Sequence, residues 1–211
     1  VKYDLHVHTS YSKKCGYTNP KNAVKAAVKY GLDGIAITDH DTIKGALQAK
    51  EYSPGFFDVI IGSEITTNRG EIIGLFLSED IKSNKFESVV SEIKNQNGLA
   101  VVPHPFDALR KSAFHPEAED VEILDGIESF NSRCTLKKYN DIAENFANKY
   151  NLMKTAGSDA HFPSEIGNAG IITENCDIVD AIRKRDLTVF GRKSSVLNHA
   201  LTKSLKLMRT I

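Results

Sequence analysis

Gly34-Ile35-Ala36-Ile37-Thr38-Asp39-His40-Asp41 places a short run of small and branched apolar residues directly before a cluster of acids around one histidine. An apolar run without alternation reads as a strand buried on both faces, and such strands belong to parallel sheets. The cluster then falls at the strand's carboxyl end, where barrels and open α/β sheets assemble their sites. Outward from this stretch the pattern repeats. Residues 2–8, 58–64, 71–77, 99–103, 126–130 and 153–156 read as further strands, and residues 22–30, 42–52, 85–96 and 136–150 as helices. Residues 104–125, with Pro105 and Pro116, read as a loop with a short helix. The tail adds strands at 170–173 and 188–190 and helices at 178–185 and 198–208. This alternation predicts one α/β domain over residues 1–211, a (β/α) barrel of about seven strands.

Composition fits a soluble enzyme-sized domain. The 211 residues are 41% hydrophobic and 26% charged, within the ordinary globular range. The 27 basic and 27 acidic residues cancel, which argues against a broad nucleic-acid footprint or a membrane-surface binder. Cys15, Cys134 and Cys176 are odd in number and widely spaced, the usage of reduced thiols and a cytoplasmic location. No apolar run has the length of a membrane span, and no obligate protein partner is evident.

Five of the seven histidines fall at predicted strand ends: His6, His8, His40, His104 and His161. Asp39, Glu64, Glu128 and Asp159 end the same strands or their loops. Residues two apart on a strand share a face, so His6 and His8 can chelate one ion, although alone they could equally be core histidines. A carboxylate such as Glu64 at the end of a buried strand is costly unless paired or cation-bound. Pro103-His104-Pro105 fixes an imidazole between two prolines. Asp41 is expected to cap the following helix and His40 to serve the site. His115 and His199 stand outside the pattern, and His199 reads as a surface residue.

Taken together, Asp4-Leu5-His6-Val7-His8-Thr9, Thr38-Asp39-His40, Gly62-Ser63-Glu64, Pro103-His104-Pro105 and Gly157-Ser158-Asp159-Ala160-His161 resemble the PHP (polymerase and histidinol phosphatase) domain family, in order over residues 2 to about 170. The resemblance implies a distorted seven-stranded (β/α) barrel and phosphoesterase chemistry at two or three divalent metals. It implies a first metal on His6, His8, Glu64 and Asp159, and a second on bridging Glu64, His104 and Glu128. It implies a third on His40 and His161 with a residue from the loop after His8.

That loop, Ser12-Lys13-Lys14-Cys15-Gly16, departs from the family, in which many relatives place an Asp or His there. Four readings follow: Cys15 ligates as a thiolate, the third metal is weak or absent, Lys13 or Lys14 supplies the charge in its place (Lys13 by its offset from His8), or both lysines are simply solvated. A mixed imidazole and carboxylate set suits Mn, Zn or Fe better than Mg or Ca. Glu64 would bridge the ions around an activated water, and His40 or His161 could act as the acid toward the leaving oxygen. Arg110, Lys111 and Arg133 are candidates for phosphate binding. The expected substrate is a small phosphorylated molecule, a phosphomonoester such as a nucleotide, or a short oligonucleotide. Two rival readings are an amidohydrolase-type enzyme, which usually bridges its metals with a modified lysine where this chain offers Glu64, and a non-catalytic metal-binding module.

Overall fold

The computed structural model describes residues 1–209. Strands β1 (Lys2–Val7), β2 (Gly34–Ile37) and β3 (Asp58–Thr67) lie side by side in parallel. Their crossovers are helices α1 (Pro20–Lys29) and α2 (Lys44–Glu51). The start of α1 is chemically set: Asn19 accepts the Asn22 N–H through its side chain, and Pro20 takes the first helical position, where no N–H is needed. Ala23, Val24 and Ala27 repeat at helical spacing and are the buried face.

β3 turns through Asn68-Arg69 into β4 (Gly70–Leu75), an antiparallel hairpin with Thr67 opposite Gly70. Helix α3 (Phe86–Asn95) leads to β5 (Leu99–Val102), antiparallel to β4, and β6 (Gly126–Asn131) and β7 (Met153–Gly157) continue in parallel around α4 (Lys137–Tyr150). The tail supplies β8 (Ala169–Ile172), α5 (Ile178–Lys184), β9 (Thr188–Gly191) and α6 (Val196–Met208). The described strands form one sheet in the order β7-β6-β5-β4-β3-β2-β1-β8-β9.

The expected seven strands are the barrel wall, and the two extra strands explain how the wall closes. At its amino end β1 pairs antiparallel with β8 (Lys2 with Ile172). At its carboxyl end it bridges to the segment after β7, and the His8 N–H donates to the Ala160 carbonyl at 2.9 Å. The seam therefore narrows toward the end where the histidines lie.

Two apolar clusters pack α1–α4 against the sheet. A third joins Leu5, Ala36, Ile60, Ile73 and Val101 of β1–β5 with Ile178 and Ile182 of α5. No helix among the described residues is long and apolar enough to cross a membrane.

Two local expectations change. Glu64 does not end its strand, because the hairpin carries β3 on to Thr67 and leaves Glu64 opposite Ile73. Asp41 does not cap α2. It sits at φ 55° and accepts the Thr66 N–H at 2.8 Å, while the Ile43 N–H goes to Asp80.

Candidate metal centre

His6, His8, Glu64, His104 and Asp159 converge at the carboxyl end of the barrel, each at most 1% exposed. Their placement is built into the backbone. A Cβ on Gly157 would lie 2.2 Å from the Cβ of His6, so only glycine lets β7 approach β1 this closely. His104 and Asp159 hold positive φ, 30° and 54°, a cost that persists where the surroundings fix it. Asp4 sits beneath, fully buried, and accepts N–H groups from Ser158 at 2.9 Å and Gly167 at 2.8 Å.

Glu64 is the hub. Its Oε1 lies 2.9 Å from His104 Nε2 and 3.6 Å from His6 Nε2, and its Oε2 lies 3.4 Å from His8 Nε2 and 3.2 Å from His40 Nδ1. Asp159 Oδ1 lies 3.4 Å from His8 Nε2 and 3.8 Å from His6 Nε2. The four residues expected at the first metal are thus together.

Their hydrogen bonds fix the proton positions. His6 Nδ1 faces the Glu128 carboxylate at 3.1 Å, and so donates. Ser12 Oγ donates to Asp39 at 2.6 Å and can only accept from His8 Nδ1 at 3.1 Å. Both Nε2 atoms then face the shared space, and they lie 3.1 Å apart. His161 Nδ1 likewise donates to the Asp159 carbonyl at 2.8 Å. A metal-ligating imidazole gives its other N–H to such an oxygen.

Glu128 stands behind the ligands. Oε1 holds His6, and Oε2 accepts the His104 N–H at 2.7 Å and the Asn131 amide at 2.9 Å. It orients the His6 imidazole and the backbone of His104 instead of facing the shared space as expected. The residue that does face it is Glu71 on β4, 3.7 Å from both His40 and His104. Sequence reading missed it because Glu71 begins a strand. Its signal was the hairpin, whose antiparallel return brings the start of β4 to the end where β3 delivers its acids.

The proposed third set does not assemble as drawn. His40 groups with Glu64 and Glu71, and His161 groups with His8 and Asp159. The His8 ring stands between them, 4.7 Å from His40 and 4.6 Å from His161. Lys13 is exposed and lines a neighbouring cavity that reaches His40 and Glu71 but not His161. Cys15 is buried, and burial pushes its thiol up to about 12, which disfavours a thiolate.

Charge divides the site. Burial would lower His6, but Glu128, Asp159 and Glu64 raise it well above the ordinary range. Against the penalty of burial, Arg110 and His6 hold Asp159 well below the carboxylate range, and His6 and His40 do the same for Glu64. Burial, then Glu64, raises Glu71 to about 8. Burial lowers His40 to about 4, and burial with His8 lowers His161 well below its usual value. Both shifts favour the neutral imidazole, the form in which a ring can ligate a metal.

Above the acids opens a cavity of about 480 Å³. Arg110, Lys111 and Arg133 line it, as expected, but the two arginines are engaged. Arg110 pairs with Asp159 at 2.7 Å and Asp107 at 3.1 Å. Arg133, 5% exposed, binds Glu165 through Nη1 at 2.9 Å and Thr202 through Nη2 at 3.0 Å. Lys111 is exposed at the rim. His199, expected at the surface, lines the same cavity with Thr202, Lys203 and Lys206 of α6.

The donor set fits divalent ions. Four triads of His, Asp and Glu bring ligand atoms within 4.8 Å of one another. The two facing Nε2 lone pairs repel unless a cation or proton lies between them, and His104 Nδ1 is buried with no hydrogen-bond partner among the described residues. Borderline metals favour such mixed nitrogen and oxygen sites.

A family model described as PHP-associated matches residues 137–187. An uncharacterized protein of Methanocaldococcus jannaschii is 43% identical over 156 residues, which are 69% of this chain and 90% of the relative. A 5'-3' exoribonuclease of Haemophilus influenzae is 40% identical over 129 residues, 53% of this chain and 45% of that enzyme. Among solved structures, a two-domain protein of Bacteroides vulgatus that contains a predicted PHP-like metal-dependent phosphoesterase superposes with a TM-score of 0.76 at 21% identity. That superposition covers 91% of this chain and 65% of the other, and the likeness is one of fold.

Proposed function

Since the chain belongs to the PHP domain family, we propose that it is a metal-dependent phosphoesterase that hydrolyses a phosphomonoester or a short oligonucleotide. The observation that carries the proposal is the pair of inward-facing Nε2 atoms of His6 and His8, 3.1 Å apart beside Glu64 and Asp159. Five imidazoles and three buried acids make a site for two or more divalent ions, with Mn, Zn or Fe preferred. Bound there, such ions supply an activated water and polarise the phosphoryl oxygens.

The chain's own residues do the rest. His6, His8, Glu64 and Asp159 would hold one ion, while His104, His40 and Glu71 would offer ligands to another. Glu128, Ser12 and the Asp159 carbonyl fix the imidazole tautomers. Asn131 spans Glu128 and Asp159 at 2.9 and 3.3 Å and keeps the two carboxylates in register. Lys111 and Arg110, both lining the cavity, are the cations that would meet the phosphate. Arg110 also pairs with Asp159 at 2.7 Å.

A cavity of about 480 Å³ suits a nucleotide-sized ligand, and the exoribonuclease relative makes a nucleic-acid end a natural candidate. The test is a panel of aryl phosphate, nucleoside monophosphates and 5'-phosphorylated oligonucleotides with protein reconstituted in Mn, Zn, Fe, Mg or Ca. Hydrolysis of at least one ester, abolished by chelation, is expected. Activity persisting in protein shown to be metal-free would overturn the proposal.

A further inference from the structure

Helix α6 turns the wrong face inward for a helix docked by apolar burial. Its buried residue is Thr202. Polar contacts tie that face down. Arg133 Nη2 donates to Thr202 Oγ1 at 3.0 Å, and Arg209 Nη1 donates to the carbonyls of Lys13 at 3.1 Å and Gly16 at 2.7 Å. The opposite face is apolar and open. Val196, Leu197, Leu207 and Met208 are 75%, 65%, 64% and 65% exposed, and Leu201 is 44% exposed. With Ala200 and Ser204, which are exposed too, they follow the three- and four-residue spacing of one helix stripe. A surface helix normally buries such a stripe. Here the tethers hold the helix in the orientation that leaves it in water.

The stripe is complementary to itself. In an antiparallel pair centred on Thr202, each residue meets the one equally far along on the other side of the centre. Leu197 then faces the second copy's Leu207, Val196 faces Met208, and small Ala200 faces small Ser204. The small pair at the centre lets the helix axes approach closely, and the large pairs close the two ends. Charge stays off the seam, since Lys206 is turned to the cavity and Lys203 stands between cavity and stripe. At roughly 170 Å² for a fully open residue of this size, the five large side chains present about 500 Å² per chain, so a pair buries about 1,000 Å², the area at which a specific interface begins. A single soluble chain rarely leaves a connected apolar patch of that size in water.

We propose that α6 is the surface through which two copies of this chain associate, stripe against stripe and antiparallel. The second copy covers the outer face of a helix whose inner face lines the cavity above the metal centre, so association holds that wall in place. The proposal stands independently of the phosphoesterase reading. Both copies bring Lys203 to the same side of the seam, so the pair tightens as salt screens the two ammonium groups.

The experiment measures mass against concentration, by sedimentation equilibrium, for the metal-loaded full chain and for its Leu197→Lys and Leu207→Glu variants. Both leucines are exposed, so each variant should fold, and its melting temperature at low concentration checks this. An interface at the small end of the specific range predicts a wild-type dimer with a micromolar Kd. Each variant alone sets a charge against leucine at both ends of the seam and should weaken association about tenfold or more. Mixing the two variants sets the introduced lysine against the introduced glutamate at one end and leucine against leucine at the other, and should restore the dimer. Wild type that stays a single chain up to about 1 mM would overturn the proposal, and so would a dimer that persists in both variants. A mixture that stays monomeric would overturn the antiparallel register. A monomer that sediments with phosphatidylglycerol vesicles, and loses this in Leu207→Glu, would assign the stripe to a membrane surface instead.

Discussion

His6 and His8 present their Nε2 atoms to each other at 3.1 Å, while Glu128 and Ser12 hold the protons on the far nitrogens. Two imidazole nitrogens at that distance inside a buried pocket need a proton or a cation between them, and a divalent ion brings the larger charge. Metal loading should therefore stabilise the fold as well as switch on hydrolysis. At a free ion concentration a hundredfold above Kd, one site adds about 2.7 kcal/mol, or roughly 5–10 °C in Tm for a chain of this size. Thermal melts before and after exhaustive chelation measure this, and Mn, Zn or Fe should restore the higher Tm better than Mg or Ca. An unchanged Tm would remove the cation from between the imidazoles.

Glu64 touches His6, His8, His40 and His104. Glu64→Gln keeps the shape but removes the charge shared by two sides of the site. Turnover of an aryl phosphate should fall by about 10³ or more, with less bound metal by elemental analysis, because a neutral amide is a poor bridging ligand. Near-wild-type turnover in a metal-saturated variant would show that the bridging role is wrong.

Cys15 is the buried member of the loop after His8, and burial pushes its thiol up to about 12. Cys15→Ser should keep the wild-type metal content, measured per chain by elemental analysis. Loss of one ion would make Cys15 a ligand after all.

Much of this was legible in sequence because metal chemistry and strand geometry share a period. His6 and His8 two apart, and Asp159 and His161 two apart, announce both a strand end and a convergent set. The wall strands were readable from short apolar runs. What was hidden depended on pairing. Glu71 could be placed only once the β3–β4 hairpin set its register, with Thr66 opposite Glu71. The role of Glu128 turned on which side of His6 it occupied, a matter of sheet order. The inward turn of α6 was unreadable because its amphipathic pattern predicts the opposite face inward, and single tethers such as Arg133 to Thr202 leave no periodic trace.

Arg133 joins Glu165, which is fully buried, to Thr202 on α6. Arg133→Ala would strand a buried carboxylate, a change that costs about 3 kcal/mol or more, and would release α6 from the cavity. The expected result is a lower Tm with proteolytic cleavage entering at residues 192–196. Metal content should hold, because Arg133 contacts none of the ligand atoms. A variant that melts like wild type, with α6 still protected, would mean that the helix is held by other contacts.

Glu71 offers the sharpest pH signature. Its carboxyl is raised to about 8 by burial and by the nearby charge of Glu64, so near pH 7 the metal-free protein holds it protonated. A cation bound among His40, Glu64 and Glu71 requires the carboxylate, so loading must expel that proton. The sign follows: affinity at this site should strengthen as pH rises toward about 8 and level off above it. Glu71→Gln has no proton to lose and should show a flatter pH dependence, weaker binding and about one fewer proton released per chain. Metal titrations at pH 7 in buffers of different ionisation enthalpy count those protons. If wild type and Glu71→Gln release the same number and bind the same number of ions, Glu71 lies outside the coordination set and His40 must find its partner elsewhere.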